Sequence, residues 1–529
     1  MARLLFVLFA ALLISGSQSA NILGVFTSLS PSHLILQMSM AKVLAEGGHN
    51  VTVVTAMKPP IMHKDIHLVQ VPTSEQTMQE LNSIIGSMAG RDNSNMLVSL
   101  FKSLGQMTFM FDLMRDTMAH RLVRNLYEQQ STKFDLVIIG SFMNNYQIGL
   151  AHKLKAPVVL ISPMPANPMF DLMIGNPTSL SYVPITPTNL EPGQGLSLMQ
   201  RIKNFVGNYA FKIFIYIIEN NNKRYYSELY GDDPSMPDYA ELTKNVSMIF
   251  CNSHGLSEGP IRAAVPALVE VSGLQIKDTP DALPQEMAEF ISKAKHGAIL
   301  LSLGSNVKGE HIKPDTVTKM FNVLSKLKQR VIWKWEDLSN VPGKSPNILY
   351  SKWLPQDDIL AQPNLKLFIT HAGKGGITEA TYHGKPMLAL PVFGDQPNNA
   401  EKMVKSGFGL SLSLLTLEEQ PFQQSLDEVL NNPMYADKVK AFSALYRDRP
   451  LTARQSVLYW TEYVLRHHGA QHMQSPLVHM GIIAANNLDV YALLLALLIA
   501  LLFLAKCFIK FVYKKCTGKA KQVKKAKKH

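Results

Sequence analysis

The chain has 529 residues, of which 47% are hydrophobic and 17% charged, and this composition excludes a mostly disordered protein. Its three cysteines, Cys251, Cys507 and Cys516, exclude a disulfide scaffold and offer no spacing for zinc ligands. Ten lysines within residues 506–529 supply most of the net charge of +12, and without them 42 basic and 40 acidic residues remain, a charge of about +2. The near-neutral body gives no support for nucleic-acid binding.

The N-terminal residues resemble a targeting segment. Arg3 supplies a positive charge, eleven apolar residues follow from Leu4 to Ile14, and small residues come next. This pattern predicts a secretory signal peptide over residues 1–19, cleaved after Ser19. A buried first strand or helix is the alternative, but residues 21–26 already form a strand pattern of their own.

From residue 21 the pattern alternates between buried strands and helices, which is typical of parallel α/β units. A second series of the same kind begins at Ala298, after a junction near 273–296. We therefore expect an α/β fold with two doubly wound, Rossmann-like domains that face each other, over residues 20–275 and 276–480. A ligand would bind where the carboxyl ends of the two sets of strands meet.

Residues 96–118 are rich in methionine and aromatic side chains. Helix core is the usual explanation of such a stretch. The alternative is an adaptable apolar lining for varied lipophilic molecules, which methionine suits.

The C-terminal region predicts a membrane anchor. Val490 to Ala505 is an unbroken apolar run, followed by the lysine-rich end. We expect a transmembrane helix over residues 488–513, a cytosolic tail over 514–529, and the body on the opposite side of the membrane, as in a single-pass type I protein.

The last residues, Lys525-Ala-Lys527-Lys528-His529, resemble a dilysine signal for retrieval to the endoplasmic reticulum, which would make the body lumenal. The alternative is that these lysines only hold the tail at an anionic membrane surface. In a lumenal body Asn50-Val-Thr and Asn245-Val-Ser would be glycosylation sites, and we favour Asn245 because Asn50 opens a predicted strand.

Residues 353–396 carry the strongest signal for function. A strand that ends in Thr370-His371 is followed by a glycine loop and a new helix. Free amides at a helix N-terminus form an anion site, and glycines let the backbone approach a diphosphate closely. No Gly-x-Gly-x-x-Gly follows the first strand and no phosphate loop is present, which disfavours nicotinamide and ATP chemistry.

The stretch from Trp353-Leu-Pro-Gln356 through Thr370-His-Ala-Gly373-Lys-Gly-Gly-Ile-Thr-Glu379 to Asp395-Gln396 resembles the signature of the UDP-glycosyltransferase family. This resemblance implies a GT-B fold, in which the first domain binds a small lipophilic acceptor and the second a UDP-sugar. The UDP-sugar is a co-substrate, and no cofactor or metal is expected. The motif is most similar to insect members, which implies glucose rather than glucuronic acid. The resemblance places the donor on Ser305, Trp353, Gln356, His371, Gly373, Gly375, Gly376, Glu379, Asp395 and Gln396, with Arg262 near the diphosphate.

The resemblance also implies a general base at His33, after the first strand, and one departure from the family pattern. A histidine is largely neutral at pH 7 and can accept the proton of the acceptor hydroxyl in an inverting displacement. The carboxylate that usually orients it would stand at position 140, where this chain has Gly140. Two hypotheses therefore remain: an active hexosyltransferase, or a weak or silent relative that binds hydrophobic ligands. The sequence leaves the oligomeric state open, a homo-oligomer included.

Overall fold

The computed structural model describes residues 19–89, 96–129, 132–185, 194–259, 261–305, 307, 309 and 312–526. The predicted signal peptide, apart from Ser19, and the last three residues of the predicted retrieval signal lie outside these residues. The chain forms two compact units, one ending at Gln474 and one beginning at Ser475.

The first unit contains two sheets, and every strand pair in both is parallel. The first sheet has the order β3-β2-β1-β4-β5-β6-β7 and the second β10-β9-β8-β11-β12-β13. The strands of the first sheet are β1 (Asn21–Val25), β2 (Asn50–Thr55), β3 (Ile66–Gln70), β4 (Leu136–Gly140), β5 (Val158–Ser162), β6 (Val246–Cys251) and β7 (Leu268–Glu270). Those of the second are β8 (Ala298–Ser302), β9 (Arg330–Lys334), β10 (Ile348–Ser351), β11 (Leu365–Thr370), β12 (Met387–Ala389) and β13 (Gly409–Ser411).

Helices connect the strands of each sheet. In the first part of the chain they are α1 (Pro31–Glu46), α2 (Glu75–Ala89), α3 (Met96–Ala119), α4 (Arg121–Glu128), α5 (Ile148–Lys153), α6 (Pro168–Ile174), α7 (Leu198–Tyr230), α8 (Tyr239–Leu242) and α9 (Gly255–Glu258). The second part contains α10 (Gln285–Ser292), α11 (Pro314–Leu324), α12 (Gln356–Leu360), α13 (Lys374–Tyr382), α14 (Gln396–Lys405), α15 (Glu419–Asn431), α16 (Pro433–Arg447) and α17 (Ala453–Arg466). Single 3₁₀ turns lie at Asn145–Gln147, Thr243–Asn245 and Gln471–Met473.

The burial of the strands explains the architecture. The central strands β4, β5, β6 and β8 are buried at every position, so each sheet must be covered on both faces. Two apolar clusters cover the faces of the first sheet, and two more cover those of the second. The prediction of two doubly wound parallel sheets is confirmed.

The end of the first unit returns to the first sheet. Helix α17 packs against α1, and its Ala453, Val457 and Val464 belong to the same apolar cluster as Leu44. The last long helix of the predicted range 276–480 therefore contributes to the core of the first sheet.

In the second unit, a 3₁₀ turn (Pro476–His479) and a short helix α18 (Ile482–Ala485) precede a long helix α19 (Leu488–Ala526). Within α19, Leu488–Lys515 is apolar enough and, at 28 residues, long enough to cross a membrane, and none of it is buried. This helix fits membrane anchoring. It continues beyond residue 513, so the first part of the lysine-rich tail is helical too.

Candidate active site

All twelve residues predicted to act in catalysis or donor binding line one cleft of ≈ 1710 Å³ in the first unit. Its walls are built largely by segments that follow the carboxyl ends of strands in both sheets, such as those after β1, β6, β8 and β11. This is where open parallel sheets bind ligands. The fold therefore brings together side chains that are as far apart in the chain as His33 and Gln396.

His33 lies in the first turn of α1, which begins directly after the loop that leaves β1. Its Nδ1 lies 2.9 Å from Oγ of the buried Ser28, and its ring packs on Phe142 with ring centroids 4.8 Å apart. Burial lowers the pKa of His33 to about 4, so the imidazole is neutral at pH 7. A neutral imidazole held at one nitrogen can accept a proton at the other.

The space beside Gly140, at the end of β4, is filled by Gln37 of α1. A Cβ placed on Gly140 would lie 2.4 Å from Nε2 of Gln37, a side chain that is fully buried. The backbone of Gly140 does not have a positive φ, so a side chain there would require Gln37 to move but no change of backbone conformation. Gln37 stands four residues after His33 and so lies on the same side of α1.

Several other polar groups near β4 are engaged elsewhere, whereas Oγ of Ser141 is buried without a hydrogen-bond partner. Asn144 donates to the carbonyl of Gly140 and accepts from the amide of Phe142, and Asn145 donates to Glu219. Asp135 accepts from the amide of Asn21 before β4 begins. Ser28 is the hydrogen-bond partner that the structure gives the ring of His33, and sequence reasoning missed it because family resemblance directed attention to position 140.

On the opposite wall, two loops enclose His371. A Cβ on Gly304, which has φ +80°, would lie 2.5 Å from Cε1 of His371, and one on Gly373 would lie 2.4 Å from its Nε2. Both loops therefore require glycine where they pack on the ring. Nδ1 of His371 is buried without a hydrogen-bond partner, and burial lowers the pKa of this residue to about 4. His371 is thus neutral at pH 7 and can donate one hydrogen bond from its uncharged ring.

Helix α13 begins at Lys374, with Gly373 as its N-cap and Gly375 and Gly376 in its first turn. The first amides of a helix have no partner within it, so this turn can bind an anion. Lys374 and Lys402 also line the cleft. Burial lowers the pKa of Lys374 to about 7 and that of Lys402 to about 8. Sequence reasoning missed both cations, although Lys374 stands inside the motif.

Trp353, Gln356 and Glu379 form the neighbouring part of the wall. The indole of Trp353 is 51% exposed, so it is available for stacking. Gln356 donates to Glu379 at 2.6 Å, and Gln275 donates to the same carboxyl group at 3.3 Å. Burial raises the pKa of Glu379 to about 7, so this group is partly protonated at neutral pH.

Asp395, Gln396 and Ser305 line the cleft as well. The carboxylate of Asp395 is exposed and accepts from Asn399, which leaves it able to accept from hydroxyl groups. The side-chain oxygen Oε1 of Gln396 accepts hydrogen bonds from the backbone amides of Val392 and Phe393. The side-chain nitrogen of Gln396 is therefore the group that can donate to a sugar hydroxyl.

Arg262 faces the cleft but is held by an ion pair. Its guanidinium donates to Asp171 at 2.5 and 2.7 Å and to the carbonyl of Ala166 at 2.8 Å. The described contacts give Arg262 a role in fixing the cleft wall, and its action on a diphosphate stays a prediction.

Apolar side chains of the first part of the chain, including Phe142 beside His33, also line the cleft. Its lining includes Ile35, Met107, Met110, Phe142, Met164 and Phe214. Further along α3, Phe111, Met114 and Met118 belong to the core of the first sheet. The methionine-rich stretch thus supplies both core and lining, so each of its two interpretations is correct for a part of the stretch.

Asn50 and Asn245, the two predicted glycosylation positions, are exposed. Asn50 is the first residue of β2 and its side-chain amide donates to Asn21, whereas Asn245 ends a 3₁₀ turn before β6. Among the described residues, no three potential ligands are grouped as a metal site.

Comparison with known proteins agrees with this geometry. The family model described as "UDP-glucoronosyl and UDP-glucosyl transferase" matches residues 22–523. "UDP-glycosyltransferase UGT5" of Dactylopius coccus is 31% identical over 93% of this chain and 92% of its own length. "UDP-glucosyltransferase 2" of the same insect is 30% identical over 96% of both chains, and human "UDP-glucuronosyltransferase 2B15" is 29% identical over 93% of both.

Among solved structures, a UDP-glucosyltransferase from Polygonum tinctorium is similar with a TM-score of 0.55 and 15% identity, over 85% of this chain and 99% of that one. The glycotransferase of kitacinnamycin is similar with a TM-score of 0.51 and 16% identity, over 85% and 98% of the two chains. These two likenesses show a GT-B fold.

Proposed function

We propose a specific reaction for this chain, which belongs to the UDP-glucoronosyl and UDP-glucosyl transferase family and is a UDP-sugar-dependent hexosyltransferase. In this proposal the chain transfers glucose from UDP-glucose to small lipophilic acceptors with inversion of the anomeric configuration. The observation that carries this proposal is the single cleft that places His33 on one wall and His371, Trp353 and Glu379 on the other.

The donor binds along the second sheet in this proposal. The uracil stacks on Trp353, and the ribose exchanges hydrogen bonds with Glu379 and Gln356. The diphosphate lies at the first turn of α13, where helix amides, His371 and the cations Lys374 and Lys402 favour negative charge. Asp395 and the amide of Gln396 hold sugar hydroxyls.

The acceptor occupies the apolar part of the cleft with its hydroxyl directed at His33. The acceptor oxygen attacks the anomeric carbon while His33 accepts the hydroxyl proton. The bond between the anomeric carbon and the diphosphate oxygen breaks as the new bond forms, and UDP leaves with the electron pair. Attack from the face opposite the leaving group inverts the anomeric configuration.

Glucose is the preferred donor in this proposal because the motif is most similar to insect members, and because one of the insect relatives carries the name UDP-glucosyltransferase. The cations of the cleft also suit a carboxylate, so UDP-glucuronic acid is the competing donor. The test is transfer by the full chain, in detergent or nanodiscs, from labelled UDP-glucose or labelled UDP-glucuronic acid to a phenolic acceptor. Transfer only from UDP-glucuronic acid would overturn the choice of sugar.

One observation favours a second candidate function, a weak or silent family member that binds hydrophobic ligands. His33 faces a serine hydroxyl and not a carboxylate, so the imidazolium that forms during transfer lacks a compensating charge. A chain that binds UDP-glucose and a phenol in calorimetry, yet transfers no label, would favour this candidate.

We also place the protein in the membrane of the endoplasmic reticulum, as a single-pass type I protein with a lumenal body. The apolar helix Leu488–Lys515 and the lysines after it support this placement. Deleting residues 490–529 should yield a secreted protein that still binds UDP, since every donor residue lies in the first unit. Glycan addition at Asn245 or Asn50 would report the lumenal side.

A further inference from the structure

Helix α7 carries large apolar side chains on its outer surface. Nine of them are exposed, each by 49% or more: Leu198, Met199, Ile202, Phe205, Val206, Tyr209, Ile213, Tyr216 and Ile217. At 100° per residue these positions fall within an arc of about 120°, and they run for about 28 Å along the helix. We call this surface the α7 stripe.

The side of α7 that faces the protein is the more polar one along this part. Asn204 and Asn208 are buried there. Asn204 donates to the carbonyls of Leu180 and Val183 and accepts from the amide of Ile185. The hydrogen bonds of Asn204 therefore help to fix the rotation of the helix, with the apolar face outward.

The charges that α7 itself carries along the stripe have one sign. Residues 198–218 contain Arg201, Lys203 and Lys212 and no acidic residue. On the helical wheel, Lys203 lies at one edge of the stripe, and Arg201 and Lys212 lie at the other. Lys212 lies 5.1 Å from the ring of Tyr209. An apolar face edged by cations and containing aromatic residues is the pattern of a helix that lies in a membrane interface.

We propose that the α7 stripe lies in the surface of a bilayer that contains anionic lipid, as a second membrane contact besides the apolar helix. This inference depends on the membrane anchoring proposed above. Cations at both edges of the stripe complement the negative charge of anionic lipid headgroups, which argues for a lipid surface as the occupant. A second copy of the chain fits the stripe less well, because two facing stripes would bring together like charges with no acid to pair them.

The function of this contact follows from the substrates. Lipophilic acceptors concentrate in membranes, and Phe214 of the same helix lines the cleft. A helix that lies in the interface and also borders the acceptor region would let an acceptor pass from lipid to the cleft without crossing bulk water.

The test is spin labelling of the full chain in nanodiscs of phosphatidylcholine alone or with 30% phosphatidylserine. Single cysteines replace Val206 or Ile213 on the stripe, or Asp437 on α16 as the exposed control, in a Cys507→Ser/Cys516→Ser background. Accessibility of the nitroxide to oxygen and to a water-soluble nickel chelate reports its depth. UDP binding, measured on each sample by calorimetry, reports an intact donor site independently of the stripe.

Labels at 206 and 213 should be shielded from nickel and exposed to oxygen in discs with phosphatidylserine, at about 5–10 Å below the headgroups. The label at 437 should behave in the opposite way. Arg201→Gln/Lys203→Gln/Lys212→Gln should remove the difference between the two lipid compositions. Water-exposed labels at 206 and 213 in a protein that binds UDP would overturn the proposal. Shielding that persists in detergent and rises with protein concentration would also overturn it, in favour of a second copy.

Discussion

Oγ of Ser28 lies 2.9 Å from Nδ1 of His33, and the same hydroxyl oxygen accepts from the amide of Ser30 at 3.4 Å. When Nδ1–H donates to Ser28, the lone pair of His33 is at Nε2, the nitrogen that is free to accept a proton. Ser28 thus holds the ring in place. Unlike a carboxylate, which only accepts, its hydroxyl can also donate to Nδ1, so it neither selects the tautomer nor supplies a charge.

Replacing Ser28 with alanine should therefore slow transfer without weakening donor binding. We expect Ser28→Ala to lower kcat about tenfold, because the ring loses its orientation but not its basicity. Steady-state kinetics with varied UDP-glucose separates kcat from KM. Ser32→Ala, at an exposed position of the same turn, is the matched control. An equal fall in kcat in both variants would show that the hydroxyl of Ser28 has no particular role.

A carboxylate at position 140 should help only when Gln37 is removed. Gly140→Asp alone forces the buried Gln37 to move, and we expect a loss of about 1–3 kcal/mol in the free energy of unfolding. Gly140→Asp/Gln37→Ala should recover stability and exceed Gln37→Ala in kcat, since an acid can then stabilise the imidazolium. Thermal melting comes first, and kinetics follow on the folded variants. A stable double variant without any gain in kcat would show that the local geometry cannot use an acid.

His371→Ala should raise the KM for UDP-glucose. His371 is neutral at pH 7, but its acceptor is the ionised diphosphate, so the lost hydrogen bond is charge-assisted and worth about 1.5–3 kcal/mol, or roughly tenfold or more in donor affinity. His296→Ala, at an exposed position before β8, controls for the loss of a histidine elsewhere. Unchanged donor kinetics in a folded His371→Ala protein would contradict the placement of the diphosphate.

Donor affinity should weaken as the pH rises from 6 to 8.5. Above pH 7 Glu379 becomes ionised, and Lys374 and then Lys402 lose their charge, so all three changes disfavour a negative ligand. We expect the Kd for UDP-glucose, whose diphosphate does not titrate in this range, to rise about threefold or more. Glu379→Gln should reduce the change of Kd with pH. Glu401→Gln, at an exposed position on α14, should leave that change as it is in wild type. A Kd that is constant over this range would refute the assignment of these groups to the donor site.

The sequence predicted the parts of the fold that depend on hydrophobic patterning. Strands such as β4 and β8 are buried at every position and so read as continuous apolar runs. The motif after β11 was predictable for a related reason, since a strand, a glycine turn and a helix are contiguous in the chain. The return of α17 to the first core was harder to predict, because an amphipathic helix does not specify which sheet it covers.

Contacts between distant or unremarkable side chains could not be predicted. Nothing in the pattern shows that Gln37 fills the space at Gly140, since the two are 103 residues apart and meet only in the fold. The resemblance placed Arg262 at the cleft, but it could not show the ion pair with Asp171, which depends on the packing of α6. The apolar residues of α7 can be read from the sequence, but whether their face of the helix is buried or exposed depends on the buried contacts of Asn204.

The most direct test of the account is the anomeric configuration of the product, measured by NMR for wild type and for His33→Ala. The account predicts that wild type converts α-linked UDP-glucose into a β-glucoside of a phenolic acceptor. It also predicts that His33→Ala forms no product while its UDP affinity in calorimetry is unchanged. An α-glucoside from wild type, or full activity in His33→Ala, would contradict it.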